Sequence, residues 1–266
     1  MLKKIILLIG IFVLSFSIVF ANDISCEYKD GIYHIIIPAE TSIEFVSYEH
    51  LRTNRQVFNE TKAKLVVNAG FFDPKNEKTI SFIYNKGMLL ESPIDNENLV
   101  FNDIIMENWS KVSNRTEFRV TAQGGILLYD IAQHNKVYTG RLIASAQAGP
   151  MLLPELRLEE EFFIDKDTNG NIKRVSASVL SKTARTLIGI KNGEVHIFVV
   201  TKEHPMDIYE ARDLCIEYGM EKAMAFDGGS STSLDYKNGD VEYHVTSVGI
   251  QGDDTGRRLK SFLIVK

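Results

Sequence analysis

The chain of 266 residues is poor in the residues that mark several specialised folds, with two cysteines, six prolines and one tryptophan. Two cysteines are too few for a small fold held together by disulfides. No linker rich in Pro, Gly or Ser divides the chain. Cys-x-x-Cys, Gly-x-Ser-x-Gly and phosphate-loop lysine motifs are absent from the sequence, so the commonest zinc, esterase and nucleotide-binding patterns do not apply.

Positive charge is also in deficit, because 30 Lys and Arg stand against 35 Asp and Glu, a formal net charge of −5. The overall field therefore repels anions, and we expect no nucleic-acid partner. Any anionic ligand must be bound by a local arrangement of residues. With 44% hydrophobic and 24% charged residues, the composition is that of an ordinary globular protein and excludes a disordered chain or a coiled coil.

Only one long apolar run is present, and it lies at the amino terminus. Lys3 and Lys4 precede an apolar stretch that ends at Ala21, which predicts a signal peptide over residues 1–21 and a mature domain over residues 22–266. An uncleaved anchor is the alternative, although the run is short for a membrane span. We expect a secreted or otherwise extracytoplasmic protein with no stable membrane insertion after cleavage. Export would permit a Cys26–Cys215 disulfide, and two unpaired thiols are the equal alternative.

Strand patterns dominate the rest of the chain. β-branched and aromatic runs predict strands at Tyr33–Ile37, Ile43–Tyr48, Lys64–Asn68, Ile80–Tyr84, Met88–Leu90, Phe118–Thr121, Ile126–Tyr129, Met151–Leu153, Leu187–Ile190, Val195–Thr201, Ala223–Phe226 and Leu259–Val265. Asp207 followed by Glu210 is a capping box that starts a clear helix, and a weaker helix is predicted over 52–60. The pattern favours an α+β fold: one domain with extensive antiparallel or mixed β-sheet and few helices.

The segment from Ala223 to Ser233 is the most informative part of the sequence. An apolar strand ends in Asp227, which is followed by Gly228, Gly229 and a run of hydroxyl residues. Paired glycines let the backbone approach a ligand, and successive N–H groups and hydroxyls can surround phosphate oxygens. The alternative is an ordinary tight turn in which Asp227 caps its own backbone.

Two further strand ends have the same character. Asn68 and Gly70 close one apolar strand before Phe71, Phe72 and Asp73, and Gln147 and Gly149 open another. Core packing is the usual fate of such phenylalanines. Arg185 leads into a buried strand and therefore needs an anionic partner or contact with solvent. Arg257 and Arg258 form a second candidate anion-binding site. One of these two arginines is expected to be simply exposed to solvent.

Residues 165–171 match the first part of a calcium loop, with Gly170 at the sixth position. The twelfth position is Ser176, where a bidentate acid is expected, so a polar hairpin tip is the favoured interpretation and calcium the lesser one. The six histidines show no metal-ligand spacing. We therefore predict no cofactor, with calcium at 165–171 kept as an alternative.

Taken in order along the chain, four of these segments resemble the phosphodiester glycosidase family. The segments are Asn68-Ala-Gly-Phe-Phe, Ala148-Gly-Pro-Met-Leu-Leu, Ala184-Arg-Thr-Leu-Ile-Gly-Ile and Phe226-Asp-Gly-Gly-Ser-Ser-Thr-Ser. The residues that match the family pattern are Asn68, Gly70, Gly149, Arg185, Asp227, Gly228, Gly229 and Ser231. Ser230 and Ala69 depart from it, since many relatives have glycine there, but neither change removes a functional group.

The resemblance implies a hydrolase that cleaves the glycosidic bond of a sugar-1-phosphodiester and releases free sugar and a phosphate monoester. In this hypothesis Asp227 is the base or nucleophile, Asn68 orients the sugar, Arg185 and the 228–231 backbone bind phosphate, and Asp73 is a second acid. The substrate-binding candidates are Gly70, Gln147, Gly149, Gly228, Gly229, Ser230, Ser231 and Arg257. The alternatives are an exported, non-catalytic glycan-binding module and a phosphodiesterase that cuts the P–O bond.

Overall fold

Antiparallel β-sheet makes up most of the structure, a computed structural model that describes residues 23–176, 178–247 and 256–266. The predicted signal peptide lies outside the described residues. The strands are β1 (Ser25–Lys29), β2 (Ile32–Ile37), β3 (Glu44–Arg52), β4 (Leu65–Asn68), β5 (Ile83–Asn85), β6 (Met88–Glu91), β7 (Thr116–Gln123), β8 (Ile126–Gln133), β9 (Arg141–Gln147), β10 (Met151–Leu153), β11 (Ile164–Lys166), β12 (Ile172–Val175), β13 (Arg185–Lys191), β14 (Glu194–Val200), β15 (Lys222–Ala225), β16 (Ser233–Asn238), β17 (Val241–Thr246) and β18 (Leu259–Val265).

Helices are few and short in the part of the chain that the structure describes. They are α1 (Asn54–Thr61), α2 (Glu97–Val100), α3 (Asp103–Glu107), α4 (Trp109–Val112) and α5 (Ile208–Glu217), with 3-10 turns at Pro93–Asp95 and Gly229–Ser231. The longest, α5, begins with the predicted capping box, in which the Asp207 side chain accepts from Glu210 N and the Glu210 side chain accepts from Asp207 N. The α+β prediction is confirmed, and "antiparallel or mixed" resolves to antiparallel.

Three sheets and one hairpin account for the strands. The first sheet has the order β1-β2-β14-β13-β15-β10, the second β17-β16-β4-β18-β3 and the third β6-β5-β9-β7-β8, and β11 pairs with β12. The central core lies among the three sheets and contains Ile35, Phe45, Val67, Phe118 and Ile188. The first and second sheets are each covered by a helix on the other face, which is why inner strands such as β4 and β14 are nearly continuous buried runs.

Helix α5 covers the outer face of the first sheet, where Ile208, Ala211 and Cys215 join a second core with Phe198. Helix α1 covers the second sheet in the same way, packing Val57 and Phe58 on strands β4 and β18. Cys26 packs against the central core, whereas Cys215 lies in the core under α5, and both thiols are unpaired. The structure therefore has the unpaired thiols and not the disulfide.

The calcium-like segment forms the tip of the β11–β12 hairpin. The Asp167 side chain accepts hydrogen bonds from the backbone N–H groups of Asn169 and Asn171, both at 2.9 Å, and from Asn171 Nδ2 at 3.0 Å. This carboxylate therefore holds the turn itself. The hairpin expectation is confirmed, and calcium binding stays an untested alternative.

Candidate active site

A cavity of about 410 Å³ lies where the strand ends of the first and second sheets meet the 93–112 helical segment. Its volume falls in the usual range of small-molecule sites. It is lined by Phe71, Phe72, Pro74, Ile80, Leu99, Ile105, Val112, Arg115, Gly149, Pro150, Phe163, Arg174, Ser176, Ser178, Val179, Arg185, Ile208, Ala225, Phe226, Asp227, Gly228, Gly229, Ser230 and Arg257. Seven of the residues predicted from the sequence are in this set: Gly149, Arg185, Asp227, Gly228, Gly229, Ser230 and Arg257.

Asp227 is held in the cavity wall by backbone hydrogen bonds on both sides of it. Its own N–H donates to Ala69 O at 2.9 Å, and Gly229 N donates to Ala184 O at 2.8 Å. These bonds tie the segment after β15 to the end of β4 and to the start of β13. A strand end fixed in this way holds the carboxylate in one place, which suits a catalytic group.

Burial raises the pKa of the Asp227 carboxyl to about 6. A hydrogen bond from the Ser231 side chain, the charge of Arg257 and the Gly228 N–H oppose this rise but do not cancel it. The result is a carboxyl group that changes its protonation state near neutral pH. Such perturbed groups in clefts are typical of catalytic acids and bases.

Arg257 joins the hydroxyl run to this carboxyl group. Its Nη1 donates to Ser230 Oγ at 2.7 Å and to Ser231 Oγ at 3.0 Å, and its guanidinium lies 4.9 Å from the centroid of the Phe72 ring. Ser231 is buried and does not line the cavity, whereas Ser230 does. Ser230 and the guanidinium therefore form one polar wall beside Asp227, with the Ser231 hydroxyl buried behind it.

Arg185 reaches the same wall from the start of β13. Its Nε donates to Met206 O at 3.0 Å, and its Nη2 donates to the carbonyl oxygens of Ser178, Val179 and Ser181. Burial lowers the pKa of its guanidinium to about 10, so it remains charged at neutral pH. Carbonyls fix two of its nitrogens, and Nη1 has no hydrogen-bond partner among the described residues, which leaves it able to bind an anion in the cavity.

Gly228 packs closely against the residue that precedes β13, beside Arg185. A Cβ at position 228 would lie 3.2 Å from Ala184 O and 3.8 Å from Arg185 Nη1. The absence of a side chain thus keeps the backbone close to both β13 and the guanidinium. The predicted approach of this backbone to a ligand stays a prediction.

Two arginines of the cavity, Arg115 and Arg174, were not predicted from the sequence. Arg115 is buried, donates from Nε to Glu161 O at 2.9 Å and lies 4.2 Å from the centroid of the Phe163 ring, and burial lowers its pKa to about 10. Arg174 donates from Nη1 to Phe162 O at 2.7 Å, and burial also lowers its pKa. Arg115 precedes a buried strand as Arg185 does, and that pattern could have revealed it.

Four arginines and one carboxylate thus face one cavity in a chain whose overall charge is negative. Among the described residues that line the cavity, Asp227 is the only carboxylate. The arrangement supplies the local positive field that an anion requires against the global charge. Because Arg115 and Arg185 are each anchored by backbone carbonyls, the field is fixed before a ligand arrives.

Gly149 is required by a buried carboxylate beneath the cavity. Its φ is +101°, and a Cβ there would lie 2.3 Å from Glu161 Oε2. Glu161 is itself buried, accepts from Thr116 Oγ1 at 2.6 Å and from Met151 N at 3.1 Å, and its pKa is raised by burial. The glycine matched in the family pattern therefore makes room for Glu161 as well as lining the cavity.

Asn68 does not line the cavity; it connects the two sheets behind it. Its Nδ2 donates to Asp227 O at 2.5 Å, and its Oδ1 accepts from Thr186 Oγ1 at 2.7 Å and from Ser233 N at 3.1 Å. Asn68 is almost completely buried. These bonds give it a positioning part for Asp227, and its direct contact with sugar stays a prediction.

Three other predicted residues also lie behind the cavity wall or outside it. Gln147 is buried and donates from Nε2 to the carbonyl oxygens of Ser113 and Arg115, at 2.9 and 3.1 Å, so it holds the backbone of a cavity arginine. Gly70 leaves room for Ser81, whose Cβ would lie 2.8 Å from a Cβ at position 70.

Asp73 holds the local turn, away from the ligand space. Its Oδ1 accepts from Lys75 N and its Oδ2 from Asn98 Nδ2, both at 2.8 Å. The second bond reaches the 93–112 segment, which closes one side of the cavity. The structure does not bring the Asp73 carboxyl group together with Asp227 in the cavity lining, and its role as a second acid remains untested.

Metal-ligating side chains do not converge within residues 23–176, 178–247 and 256–266, where no group of three or more His, Cys, Asp or Glu could hold an ion. In the same part of the chain, no helix is both long enough and apolar enough to cross a membrane.

Solved structures share this fold at low sequence identity. The catalytic domain of zebrafish N-acetylglucosamine-1-phosphodiester α-N-acetylglucosaminidase, in a form auto-inhibited by its pro-peptide, matches with a TM-score of 0.62 and 14% identity, over 91% of this chain and 81% of that chain. A hypothetical protein from Synechocystis matches with a TM-score of 0.57 and 12% identity, over 91% of this chain and 61% of that chain.

A Burkholderia pseudomallei protein assigned as exported matches with a TM-score of 0.61 and 11% identity, over 88% of this chain and 73% of that chain. No curated protein matches the sequence. The model of the family described as phosphodiester glycosidase matches residues 61–266, which is more than half of the chain and includes Asp227 with all four cavity arginines. The chain therefore belongs to the phosphodiester glycosidase family.

Proposed function

We propose that the protein hydrolyses the glycosidic bond of a sugar-1-phosphodiester and releases free sugar and a phosphate monoester. The observation that carries this proposal is one partly buried carboxyl group, Asp227, with a pKa raised to about 6, beside four arginines in a single cavity. A phosphodiester supplies the anion that the arginines require, and the anomeric carbon next to it supplies the centre at which a carboxylate acts. Family membership supports the same reaction class.

Phosphate binding is assigned to Arg185, Arg257 and the backbone after Asp227. Arg185 presents Nη1 beside Gly228, and Arg257 is fixed on the Ser230 and Ser231 hydroxyls. These groups all lie on one wall of the cavity. A phosphate bound to them therefore lies next to the Asp227 carboxyl group and does not occupy its position. Arginines fixed in a low-dielectric cavity also stabilise the negative charge that grows on the leaving phosphate.

Asp227 is assigned the role of base or nucleophile at the anomeric carbon. Its carboxylate is ionised above about pH 6 and can then activate water or attack the sugar directly. A phosphate monoester is a good leaving group and needs little proton donation. One carboxylate in the described cavity lining is therefore sufficient for the chemistry, and the second acid of many glycosidases is not required.

Export is part of the proposal, supported by the signal-peptide pattern of residues 1–21 and by the structural similarity to a protein assigned as exported. The substrate is then an extracytoplasmic carbohydrate phosphodiester.

Purified 22–266 protein, incubated with a panel of sugar-1-phosphodiesters and followed by phosphorus and proton NMR, tests the function. We expect free sugar and a phosphate monoester from the wild type, no product from Asp227→Asn, and no effect of a chelator. Sugar-1-phosphate as the product would place the cut on the aglycone side of phosphorus and contradict the proposal. Saturable binding without turnover would favour a glycan-binding module.

A further inference from the structure

The 93–112 segment exposes large apolar side chains beside the cavity. Phe101 is 84% exposed and Ile104 59% exposed, and Ile94 and Met106 on the same run of short helices are also exposed. Single exposed hydrophobic residues are ordinary on protein surfaces. Four within thirteen residues, next to a candidate active site, form the kind of local patch that marks a binding surface.

The inner side of the same segment forms an apolar wall of the cavity. Leu99, Ile105 and Val112 line it, and Pro74 and Ile80 extend it from the neighbouring turn. None of these five side chains carries a hydrogen-bond donor or acceptor. A sugar placed against them would lose water from its hydroxyls without gaining partners, which costs free energy. The wall therefore suits hydrocarbon better than carbohydrate.

The apolar wall belongs to the same cavity as the arginines. A ligand that fills the space must combine an anionic group, bound by Arg185 and Arg257, with an attached hydrocarbon portion that contacts Leu99 and Ile105. Phe101 and Ile104 are exposed and lie in the same segment as Leu99 and Ile105, which line the cavity. A long aliphatic chain can follow such a path from the cavity to the outside of the segment.

Specific hydrogen bonds hold the segment at the cavity. The Asn96 side chain is buried, donates from Nδ2 to Thr79 O at 3.0 Å and accepts from Asn76 Nδ2 at 2.9 Å. Asn98 donates to Asp73, and Lys78 pairs with Glu97 at 2.7 Å. The exposed apolar groups are therefore presented by an anchored element.

Charge on the segment distinguishes a substrate chain from an anionic membrane surface as the occupant. Asp95, Asp103 and Glu107 are exposed on the same short helices as the apolar residues. Carboxylates at that position are repelled by anionic lipid head groups, whereas the neutral hydrocarbon chain of one substrate molecule is not affected. The occupant that fits is the aliphatic aglycone itself.

We infer that the substrate is a sugar 1-phosphate esterified to a long aliphatic alcohol, an inference that rests on the proposed function. Water adds to the anomeric carbon, the bond from that carbon to the phosphate oxygen breaks, and the oxygen leaves with phosphorus. The products are the free sugar and the alkyl phosphate monoester. The arginine wall holds the phosphate, and the 93–112 segment binds the alkyl chain.

The test compares two substrates with the same sugar 1-phosphate, one esterified to methanol and one to dodecanol, below the critical micelle concentration of the dodecyl compound. Wild-type kcat/KM for the dodecyl ester is expected to exceed that for the methyl ester by at least about tenfold, since several methylene groups leave water. Ile105→Ser and Phe101→Ser should lower this ratio towards one. Val137→Ser is the matched control, because Val137 is 97% exposed and does not line the cavity, and should leave the ratio unchanged.

Equal kcat/KM values for the two esters would overturn the aglycone assignment and leave the glycosidase function standing. If neither ester is hydrolysed, calorimetric binding of both to Asp227→Asn separates the two claims. Tighter binding of the dodecyl ester that depends on Ile105 would support alkyl recognition while the hydrolytic function fails. Equal or absent binding would overturn both.

Discussion

Nδ2 of Asn68 donates to the backbone carbonyl of Asp227 at 2.5 Å. The side-chain amide at the end of β4 therefore fixes Asp227, which lies two residues after the end of β15. Asp227 N in turn donates to the carbonyl of Ala69, the residue after that amide. The two sheets are thus joined at the backbone of the residue proposed for catalysis. Catalytic geometry in this protein depends on a residue that does not itself line the cavity.

Replacing Asn68 with alanine should cost both stability and turnover. Three polar groups, on Thr186, Ser233 and Asp227, lose a buried partner, so we expect the free energy of unfolding to fall by about 2–4 kcal/mol. Turnover should fall through kcat more than through KM. Urea denaturation and steady-state kinetics measure the two effects. Asn238→Ala, which removes one bond to Ile24 O, should leave kinetics unchanged, and equal kinetic losses in both variants would refute the positioning role.

Gly149 and Gly170 form a matched pair with positive φ, +101° and +85°. Gly170→Ala adds a Cβ in open space and should cost about 1–2 kcal/mol for backbone strain alone. Gly149→Ala adds the same strain and a collision with Glu161 Oε2, so its cost should be larger by at least about 2 kcal/mol. Urea denaturation of the two variants measures the difference. Equal losses would show that Glu161 moves away freely.

Asp227→Asn should stabilise the protein at neutral pH while abolishing turnover. Because the folded-state pKa is raised from 3.8 to about 6, ionising this group costs stability, and the cost develops between about pH 4 and pH 6. The amide removes that cost, a gain of about 1–3 kcal/mol, with the lower end allowing for partial exposure to the cavity.

Urea denaturation at two pH values checks the sign of this effect. The gain should be present at about pH 7.5 and largely lost as the pH falls to about 4, where the wild-type carboxyl is protonated in the folded state and about half protonated in the unfolded state. Asp213→Asn, in an exposed pair with Arg212, should change stability by no more than a few tenths of a kcal/mol at either pH. A destabilised Asp227→Asn at pH 7.5 contradicts the assigned pKa.

Arg257 should set the acid limb of the pH profile. The wild-type kcat/KM is expected to rise with pH through about 6 as Asp227 ionises. Arg257→Gln removes a positive charge that lowers the pKa of Asp227, so the rise of kcat/KM should move to higher pH by about 0.5–1 pH unit. The same substitution should weaken substrate binding. Arg258→Gln is the control, since Arg258 is exposed and does not line the cavity, and its limb should stay in place.

Local sequence patterns predicted much of the fold. The predicted strands at Met151–Leu153 and Leu259–Val265 coincide with β10 and β18, and both predicted helices are present with capping boxes. Strands β1, β9, β16 and β17 and the helices of the 93–112 segment were missed. Arg141 and two alanines interrupt the apolar character of β9, and the short helices are mostly exposed, so neither shows a clear periodicity.

The site was only partly accessible from the sequence, because its residues meet through pairing between distant strands. Three of the cavity residues were predicted because they lie at the ends of apolar strands that can be recognised in the sequence: Asp227, Arg185 and Arg257. Arg115 precedes a buried strand, a signal that was not used, whereas nothing near Arg174 marks it; both are held at the cavity by bonds to the carbonyls of Glu161 and Phe162, which only the fold brings close. Asp73 lies next to one of the sequence motifs, and this suggested a catalytic role. Its carboxylate instead accepts hydrogen bonds from Lys75 N within a turn and from Asn98 Nδ2.

Hydrolysis in ¹⁸O-labelled water tests the central claim most directly, because it identifies the bond that breaks. Attack at the anomeric carbon and attack at phosphorus with loss of the sugar oxygen give the same two products. The account predicts ¹⁸O on the anomeric carbon of the free sugar and none in the phosphate monoester, as mass spectrometry would report. Label in the phosphate monoester would mean P–O cleavage and contradict the role given to Asp227.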